Sequence, residues 1–522
     1  MAMDLSGKRV LVLGLGESGL SMARHLAAAG ASIIAADNRP EPPGMAAFQS
    51  AWPDAACRLG AFDDALFDDC DVVAVSPGIA VAGPMTDPAV ARAQGRGLTF
   101  IGDIELFAWA LAAERTRSGY APKVLTVTGT NGKTTVTSLT AHLASAAGCH
   151  AVAAGNIGPA VLDAWHAALE SGSLPDLWVL ELSSFQLETT QSLAADAATV
   201  LNLSEDHLDR HGSFDAYCAA KARIFMHGAI QVLGRDDPHS MALRRPFVPR
   251  NRRDAAPAVY TFGTDAPRGA LDFGLVREER PSGLTWLAQG AACTAGESAA
   301  QRLMPQEALT IRGAHNAANA LAALALGRAI GLPLAPMLRG LANYAGLPHR
   351  VQTIAAVAGV QYVDDSKGTN VGATLAALAG LGAEMKMSAR LVLIAGGDGK
   401  GQNFAPLAGT VARHCRAVVL IGRDASALRR ALAGAGVPLV DAPTLQEAVA
   451  EAARQARSGD TVLLSPACAS FDMFRGYAHR AEIFVAAVRA LNRSAPDAPL
   501  ETGECAGEAV AAPGRKAGDD GA

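Results

Sequence analysis

The sequence predicts an α/β protein of three domains, each a Rossmann-like or P-loop-like, mostly parallel sheet flanked by helices. Three observations carry that prediction. The chain has 522 residues, and at roughly 150 residues per domain this is room for three or four. Short β-branched or apolar runs alternate with long Ala/Leu-rich stretches, the pattern of parallel strands buried on both faces and joined by helices. Two glycine-rich turns, around Gly14–Gly19 and Gly129–Thr135, each lie between such a run and a helix-like stretch.

Taken in order, the predicted strands are Arg9–Leu13, Ser32–Ala36, Val72–Ser76, Val124–Thr128, Leu177–Leu182, Thr199–Leu203, Val360–Asp364, Leu391–Ala395, Ala417–Ile421 and Thr461–Ser465. They fall into three groups. Between the first two lies Ala112–Pro122, polar, with Gly and Pro and no periodicity, which predicts a linker. A second break is expected at Tyr344–Arg350, after the helix-like Asn316–Ala329. The expected domains are therefore 1–116, 117–346 and 347–493. Residues 494–522 carry Pro, Gly, Ala and acids without an apolar period, so that tail is predicted to be disordered. The region Arg235–Pro305, with Pro and Arg clusters followed by short alternating pieces, reads as a β-rich elaboration of the middle domain.

Composition removes several function classes. Lys plus Arg is 45 against 50 Asp plus Glu, a net charge of −5, so no basic excess points to a nucleic-acid backbone. The apolar stretch of MAMDLSGKRVLVLGLG is too short and glycine-rich for a secretory signal. No run of about 20 apolar residues offers a membrane span. The eight cysteines are scattered and form no CxxC pair, which reads as reduced thiols in a cytoplasmic protein. A monomer is the working expectation.

The first glycine turn, Gly14-Leu15-Gly16-Glu17-Ser18-Gly19, follows a strand and opens a helix, the context of a phosphate-cradling turn. Asp37 ends the next strand, where a carboxylate can accept ribose hydroxyls. Taken alone, this predicts a dinucleotide cofactor, although glycines can also serve only a tight turn. In the second turn, Gly129-Thr130-Asn131-Gly132-Lys133-Thr134-Thr135, backbone N–H groups and Lys133 would face phosphate oxygens with the Thr134 hydroxyl on Mg²⁺. Val127 stands where the first glycine of the full P-loop pattern belongs.

Glu181 closes one strand of the same group, and Glu205, Asp206, His207 and Asp209 follow the next. Strand ends on one edge of an open α/β sheet converge on a crevice, and a carboxylate with an imidazole suits a hard cation bridging phosphates. Solvated acids and a packed histidine are the plainer alternative. Lys221 alone reads as a helix-surface lysine, and Asn316 and Asn319 at a helix head can act as caps. In the third group, Asp364–Asn370, Gly396–Gly401 and Ser465–Phe471 form three polar loops that each follow a strand and would share one rim.

TGTNGKTT, LELSSFQLE, NLSEDHLDRHGSFDAYCAAKARIF, GAHNAANALAA, GLPHR, DDSKGTN and GGDGKGQNF occur in that order over nearly the whole chain. The set closely resembles the Mur ligases of peptidoglycan precursor synthesis, and DDSKGTN with SPACASFDMF resembles their D-glutamate-adding branch. The resemblance covers about residues 5–490. It implies an ATP-dependent amide ligase that joins D-glutamate to UDP-N-acetylmuramoyl-L-alanine. It also changes one inference, because the first domain of this family holds uridine diphosphate and not a nicotinamide.

By that resemblance Gly16, Glu17, Ser18, Asp37, Arg39, Ser76, Pro77, Gly78 and Asn156 would hold the UDP substrate. The loop Gly129 to Thr135 would hold ATP with Asn319, Arg350 and Asp365, and Lys133, His207 and Lys221 would serve catalysis. Two Mg²⁺ ions are implied, with Thr134 and Glu181 at the first and His207 and a carbamate on Lys221 at the second. Lys367, Thr369, Lys400, Ser470 and Tyr477 would surround D-glutamate. Gly368 departs from the Ala of many members, which loosens the turn without removing a functional group. Folylpolyglutamate synthetases share the phosphate loop, but GLGESG and SKGTN argue against them. An NAD-dependent oxidoreductase would leave Lys133 and its loop unexplained.

Overall fold

A computed structural model of the chain describes residues 3–246, 258–278, 283–291, 300–385 and 388–494. The predicted disordered tail lies, from residue 495 onward, outside the described residues. The architecture is three α/β sheets. The first contains β1 (Arg9–Leu13), β2 (Ser32–Asp37), β3 (Cys57–Leu59), β4 (Val72–Val75) and β5 (Thr99–Ile101). Its order is β3-β2-β1-β4-β5, parallel throughout. The chain order reverses between β1 and β4, which opens a ligand crevice at their C-terminal ends.

The second sheet contains β6 (Lys123–Thr128), β7 (Ala151–Gly155), β8 (Leu177–Glu181), β9 (Ala197–Val200), β10 (Ile230–Gly234), β11 (Val259–Phe262), β12 (Asp272–Arg277), β13 (Thr285–Gly290) and β14 (Ala300–Pro305). They run in the order β14-β13-β12-β11-β10-β9-β6-β8-β7. Pairing is parallel up to β12, and β13 and β14 add an antiparallel meander. Strands β11 to β14 are thus the β-rich elaboration, continuous with the sheet.

The third contains β15 (Gln352–Val357), β16 (Val360–Asp364), β17 (Leu391–Gly396), β18 (Cys415–Ile421), β19 (Leu439–Asp441) and β20 (Thr461–Leu464), in the order β15-β16-β20-β17-β18-β19. Only β15 is antiparallel to its neighbour.

Central strands such as Val124–Val127 and Leu391–Ala395 bury every residue because helices cover both faces. Each fully buried Val, Leu or Ile contributes about 1.5–3 kcal/mol. The first two sheets share one core. Phe107, on helix Asp103–Ser118, meets Trp178 of β8 edge-on at 5.0 Å and Trp165 at 6.0 Å. The third sheet has its own two apolar clusters. One polar contact from it to the second is the Asn370 amide donating to Asn131 Oδ1 at 3.0 Å.

The predicted linker is mostly helix. Helix Asp103–Ser118 continues through the expected boundary at 116/117 and ends only at Gly119, with φ of 80°. Its last turn lacks an apolar stripe because it faces solvent. It is held by the Glu114–Arg117 pair at 2.7 Å and by the Ser118 hydroxyl on Glu114. The second predicted break, Tyr344–Arg350, falls in a loop between helix Leu334–Ala342 and β15. Among the described residues no helix is long and apolar enough to cross a membrane, and the six described cysteines are free thiols.

Candidate functional site

In the first sheet the turn after β1 is shaped by glycine. A Cβ on Gly19 would stand 1.8 Å from the Gly14 carbonyl oxygen, so helix Glu17–Ala28 can pack this close only without a side chain there. Ser76, just after β4, donates its hydroxyl to that carbonyl at 2.8 Å. Asp37 is 1 % exposed, and its carboxylate accepts from the Leu15 N–H at 2.7 Å and from Arg39 at 2.6 and 2.8 Å. These partners, chiefly Arg39, outweigh burial and hold its pKa below the usual carboxylate value. With Asp37 engaged, the half-exposed Arg39 guanidinium is the group offered to a ligand. Around it lies a cavity of about 770 Å³, lined by Gly16, Glu17, Ser18, Asp37, Arg39, Ser76, Pro77 and Gly78 and reaching Thr134, Asn156, Lys367 and Tyr477.

In the second sheet, β6 runs into helix Lys133–Ala146 through Gly132, which adopts φ of 84° at the helix cap. A Cβ there would lie 2.6 Å from Asn319 Oδ1, so only glycine suits both the left-handed backbone and the close approach. Asn202, after β9, clamps the loop by accepting from the Asn131 N–H at 2.9 Å and donating to its carbonyl at 3.1 Å. Lys133 Nζ donates to the Gly129 and Thr130 carbonyls, both at 2.9 Å. With the Thr130 and Asn131 N–H groups held by Asn202, the N–H groups of Gly132 to Thr135 at the helix N-terminus make the anion cradle.

Lys221 is no surface lysine. It is 2 % exposed, with Nζ donating to the Gly129 carbonyl at 2.9 Å and to Thr128 Oγ1 at 3.2 Å. Burial, reinforced by Lys133, pushes its amine well below the usual lysine value.

Glu181 ends β8 and is 2 % exposed. Its Oε1 accepts from Asn156 at 2.7 Å, while Oε2 is buried without a hydrogen-bond partner among the described residues. His207 adopts φ of 52° at the head of the short helix Leu208–His211, and burial lowers its pKa. Among the described residues no three His, Cys, Asp or Glu side chains form a metal cluster. This donor set fits Mg²⁺, which takes few protein carboxylates and completes its shell with substrate phosphates and water. The orphaned Glu181 oxygen beside the phosphate loop is the observation that fits.

From the third sheet come Arg350, before β15, and the loop after β16. Asp365 accepts from Ser465 Oγ at 2.7 Å, and burial raises its pKa to about 7. Lys367 Nζ lies 3.7 Å from the centroid of the Tyr477 ring, with a pKa lowered to about 8 by burial and then by Arg350. Thr369, Lys400 and Ser470 edge the same space.

Two further cavities join these groups. One, of about 530 Å³, is lined by Thr130 to Thr135, Glu181, His207, Asn319, Arg350, Asp365 and Lys367. The other, of about 450 Å³, is lined by Lys133, His207, Lys221, Lys367, Thr369, Lys400, Ser470 and Tyr477. Of the expected site residues, only Gly129 lines none of the three cavities, and its carbonyl holds both lysines. Several contributors escaped the sequence reading. Asn202 clamps the loop, and His315, which lines the 530 Å³ cavity, has a buried Nδ1 with no hydrogen-bond partner among the described residues. Arg480 is fully buried and donates to the Ser366 carbonyl at 2.8 Å and the Cys468 carbonyl at 3.2 Å, tying together the loops that carry Lys367 and Ser470. The N-terminal Asx or Gly letter of a loop can be read from sequence, whereas an arginine reaching across loops has no local signature.

Comparison with known proteins agrees with this geometry. Residues 8–102 match the Mur ligase MurD-like N-terminal domain, 127–327 the Mur ligase middle domain and 349–468 the Mur ligase glutamate ligase domain. The chain is 54% identical over 504 residues to the UDP-N-acetylmuramoylalanine--D-glutamate ligases of Burkholderia mallei and Burkholderia pseudomallei, covering 93% of this chain and 97% of theirs. The fold is similar to that of UDP-N-acetylmuramate-alanine ligase from Thermotoga maritima, with TM-score 0.55, 18% identity and coverage of 92% and 99%. It is likewise similar to that of the MurF ligase of the same organism in complex with ADP, with TM-score 0.55, 16% identity and coverage of 95% and 100%. With all three family domains matched in order along the chain, the protein belongs to the Mur ligase family.

Proposed function

We propose that this protein is an ATP-dependent ligase that joins D-glutamate to UDP-N-acetylmuramoyl-L-alanine, forming ADP and phosphate, in cytoplasmic peptidoglycan precursor synthesis. The observation that carries the reading is the confluence of three cavities, contributed by all three sheets, at Asn156 and Lys367, which line every one of them. The long cavity beside Arg39 suits the uridine diphosphate, and the one at the phosphate loop suits ATP. The one between Lys367, Ser470 and Tyr477 suits a small amino acid with a second carboxylate.

The chemistry follows from the groups. A carboxylate is a poor electrophile, so the L-alanyl carboxylate first attacks the γ-phosphorus of ATP, giving an acyl phosphate and ADP. The D-glutamate amine adds to the acyl carbon, the tetrahedral intermediate expels phosphate, and the amide remains. Phosphoryl transfer depends mainly on positioning and charge neutralisation. Lys133 and Arg350 supply fixed positive charge there, while Asn319 and Asp365 would orient the nucleotide. Lys367 would pair with the side-chain carboxylate of D-glutamate, with Thr369, Lys400 and Ser470 completing its pocket. Because the third sheet meets the second through polar contacts, its closure would exclude water from the acyl phosphate.

Thr134 and Glu181 would hold one Mg²⁺, and His207 with a carbamylated Lys221 the other, where bound Mg²⁺ supplies neutralisation of phosphate charge. The carbamate reading rests on the buried, deprotonation-prone Lys221 amine next to Lys133. Its attack on CO₂ forms an N–C bond, releases one proton and gives an anion that Lys133 can balance. Phosphate release measured with ATP, Mg²⁺, UDP-N-acetylmuramoyl-L-alanine and D-glutamate tests the function. Release should require all four, and release that ignores D-glutamate would overturn it.

A further inference from the structure

Arg210 is 5 % exposed and lies three residues beyond His207, on the short helix that His207 heads. Its Nη1 donates to the Pro77 carbonyl at 3.3 Å, and its Nη2 donates to the Ile79 carbonyl at 3.1 Å and to Glu188 Oε2 at 2.8 Å. The guanidinium also lies 4.5 Å from the centroid of the Phe185 ring, and that ring meets His207 edge-on at 4.8 Å. The backbones are pressed together as well. A Cβ on Gly83 would stand 2.2 Å from the Arg210 carbonyl oxygen.

Stability alone is poorly served by this arrangement. A buried ion pair repays its desolvation only when its remaining donors are satisfied. Here Arg210 Nε is buried with no hydrogen-bond partner among the described residues. What the fork does supply is register. Pro77 and Ile79 belong to the loop after β4 that lines the cavity beside Arg39. A ligand that moves those carbonyls moves the guanidinium over Phe185, and Phe185 is the ring against which His207 rests.

We propose that Arg210 is a positioning residue that couples occupancy of the UDP-substrate cavity to the placement of His207. The proposal rests on the ligase reading above, in which His207 serves the reacting phosphates. The coupling is reciprocal, so nucleotide with Mg²⁺ should tighten UDP-substrate binding by the same factor by which the UDP substrate tightens nucleotide binding.

The test is calorimetric binding of UDP-N-acetylmuramoyl-L-alanine with and without Mg²⁺ and a non-hydrolysable ATP analogue, alongside steady-state kinetics. Arg210→Lys keeps the charge beside Glu188, but a single ammonium cannot reproduce the planar fork to two carbonyls. In that variant the affinity ratio should fall to near one. Its kcat should drop about tenfold while the KM for D-glutamate stays within about twofold, as expected for a misplaced catalytic group. Glu188→Gln leaves the guanidinium on Pro77 and Ile79, so it should lower thermal stability yet keep the ratio. If Arg210→Lys does not fold, Phe185→Leu removes the intervening ring and should abolish the ratio equally. An unchanged ratio in Arg210→Lys, an equal loss in Glu188→Gln, or a ratio of one in the unmodified enzyme would overturn the coupling. Failure of the unmodified enzyme to bind the UDP substrate at all would instead overturn the ligase reading.

Discussion

Replacing Lys367 by Met tests the assignment of the amino-acid pocket. The side chain keeps about its length beside the Tyr477 ring, above which Nζ lies at 3.7 Å, so the change removes the charge and its attraction to that ring and little else. Truncating one partner of a desolvated, hydrogen-bonded charge pair costs about 2–5 kcal/mol. At ~1.4 kcal/mol per decade this raises the KM for D-glutamate by about 30-fold to a few thousandfold. The lower end is expected, because Lys367 is only half-buried and Arg350 and Lys400 remain in the adjoining cavity walls. The assay is phosphate release against D-glutamate concentration at saturating ATP and UDP-N-acetylmuramoyl-L-alanine. The KM for the UDP substrate should stay within about twofold, since no charge is lost at Arg39 or the phosphate loop. A D-glutamate KM within about twofold of the unmodified enzyme would mean that Lys367 does not hold the side-chain carboxylate and would shift the role to Lys400.

Other outcomes follow from the same groups. The Lys367 ammonium titrates at about 8, below the usual lysine value, so the binding-competent charged form is lost as pH rises through that point. The KM for D-glutamate should therefore climb above about pH 8, and Lys367→Met should flatten the climb, as a series of KM values from pH 7 to 9.5 checks. Lys221→Ala should abolish turnover with the fold intact, and short-chain carboxylates should partly restore it by occupying the vacated place. Near-normal turnover in that variant would return Lys221 to a structural role. Arg480→Met orphans the Ser366 and Cys468 carbonyls, and at about 1–3 kcal/mol for each buried group left unpaired it should destabilise by about 2–6 kcal/mol in urea unfolding. Among the kinetic constants it should chiefly raise the D-glutamate KM. A stability loss under about 1 kcal/mol would mean the two loops hold themselves.

Most central strands were legible because their residues are buried on both faces and spell continuous apolar runs, as at Val72–Val75 and Leu391–Gly396, whereas the central Ile230–Gly234, with Gln231 inside its run, was not among the predicted strands. Edge strands were not. In Cys57–Leu59 all three residues keep solvent contact, so no apolar run marks the strand. Gln352–Val357 likewise escaped, since only Val357 is buried. The polar last turn of helix Asp103–Ser118 read as linker because exposed helix and linker share a composition, and only the Glu114–Arg117 pairing separates them. The site divides in the same way. Lys133 announced itself through its loop, because glycines and backbone N–H groups are a local signature. The burial of Lys221 and the reach of Arg210 and Arg480 arise from tertiary packing, which no local spacing encodes. That Asp37 ends β2 was legible, but its engagement by Arg39 and Leu15 was not, since that depends on how β1 and β2 lie side by side.

In the proposed reaction the carboxylate of the UDP substrate is activated by phosphorylation before the amine attacks. UDP-N-acetylmuramoyl-L-alanine with ¹⁸O in both oxygens of its L-alanyl carboxylate, turned over with ATP, Mg²⁺ and D-glutamate, tests it most directly. One carboxylate oxygen becomes the bridge of the acyl phosphate and leaves with phosphorus. Mass spectrometry should therefore find one ¹⁸O in each released phosphate and one in the product amide. Released phosphate free of label would mean that ATP is cleaved by water and that no acyl phosphate forms.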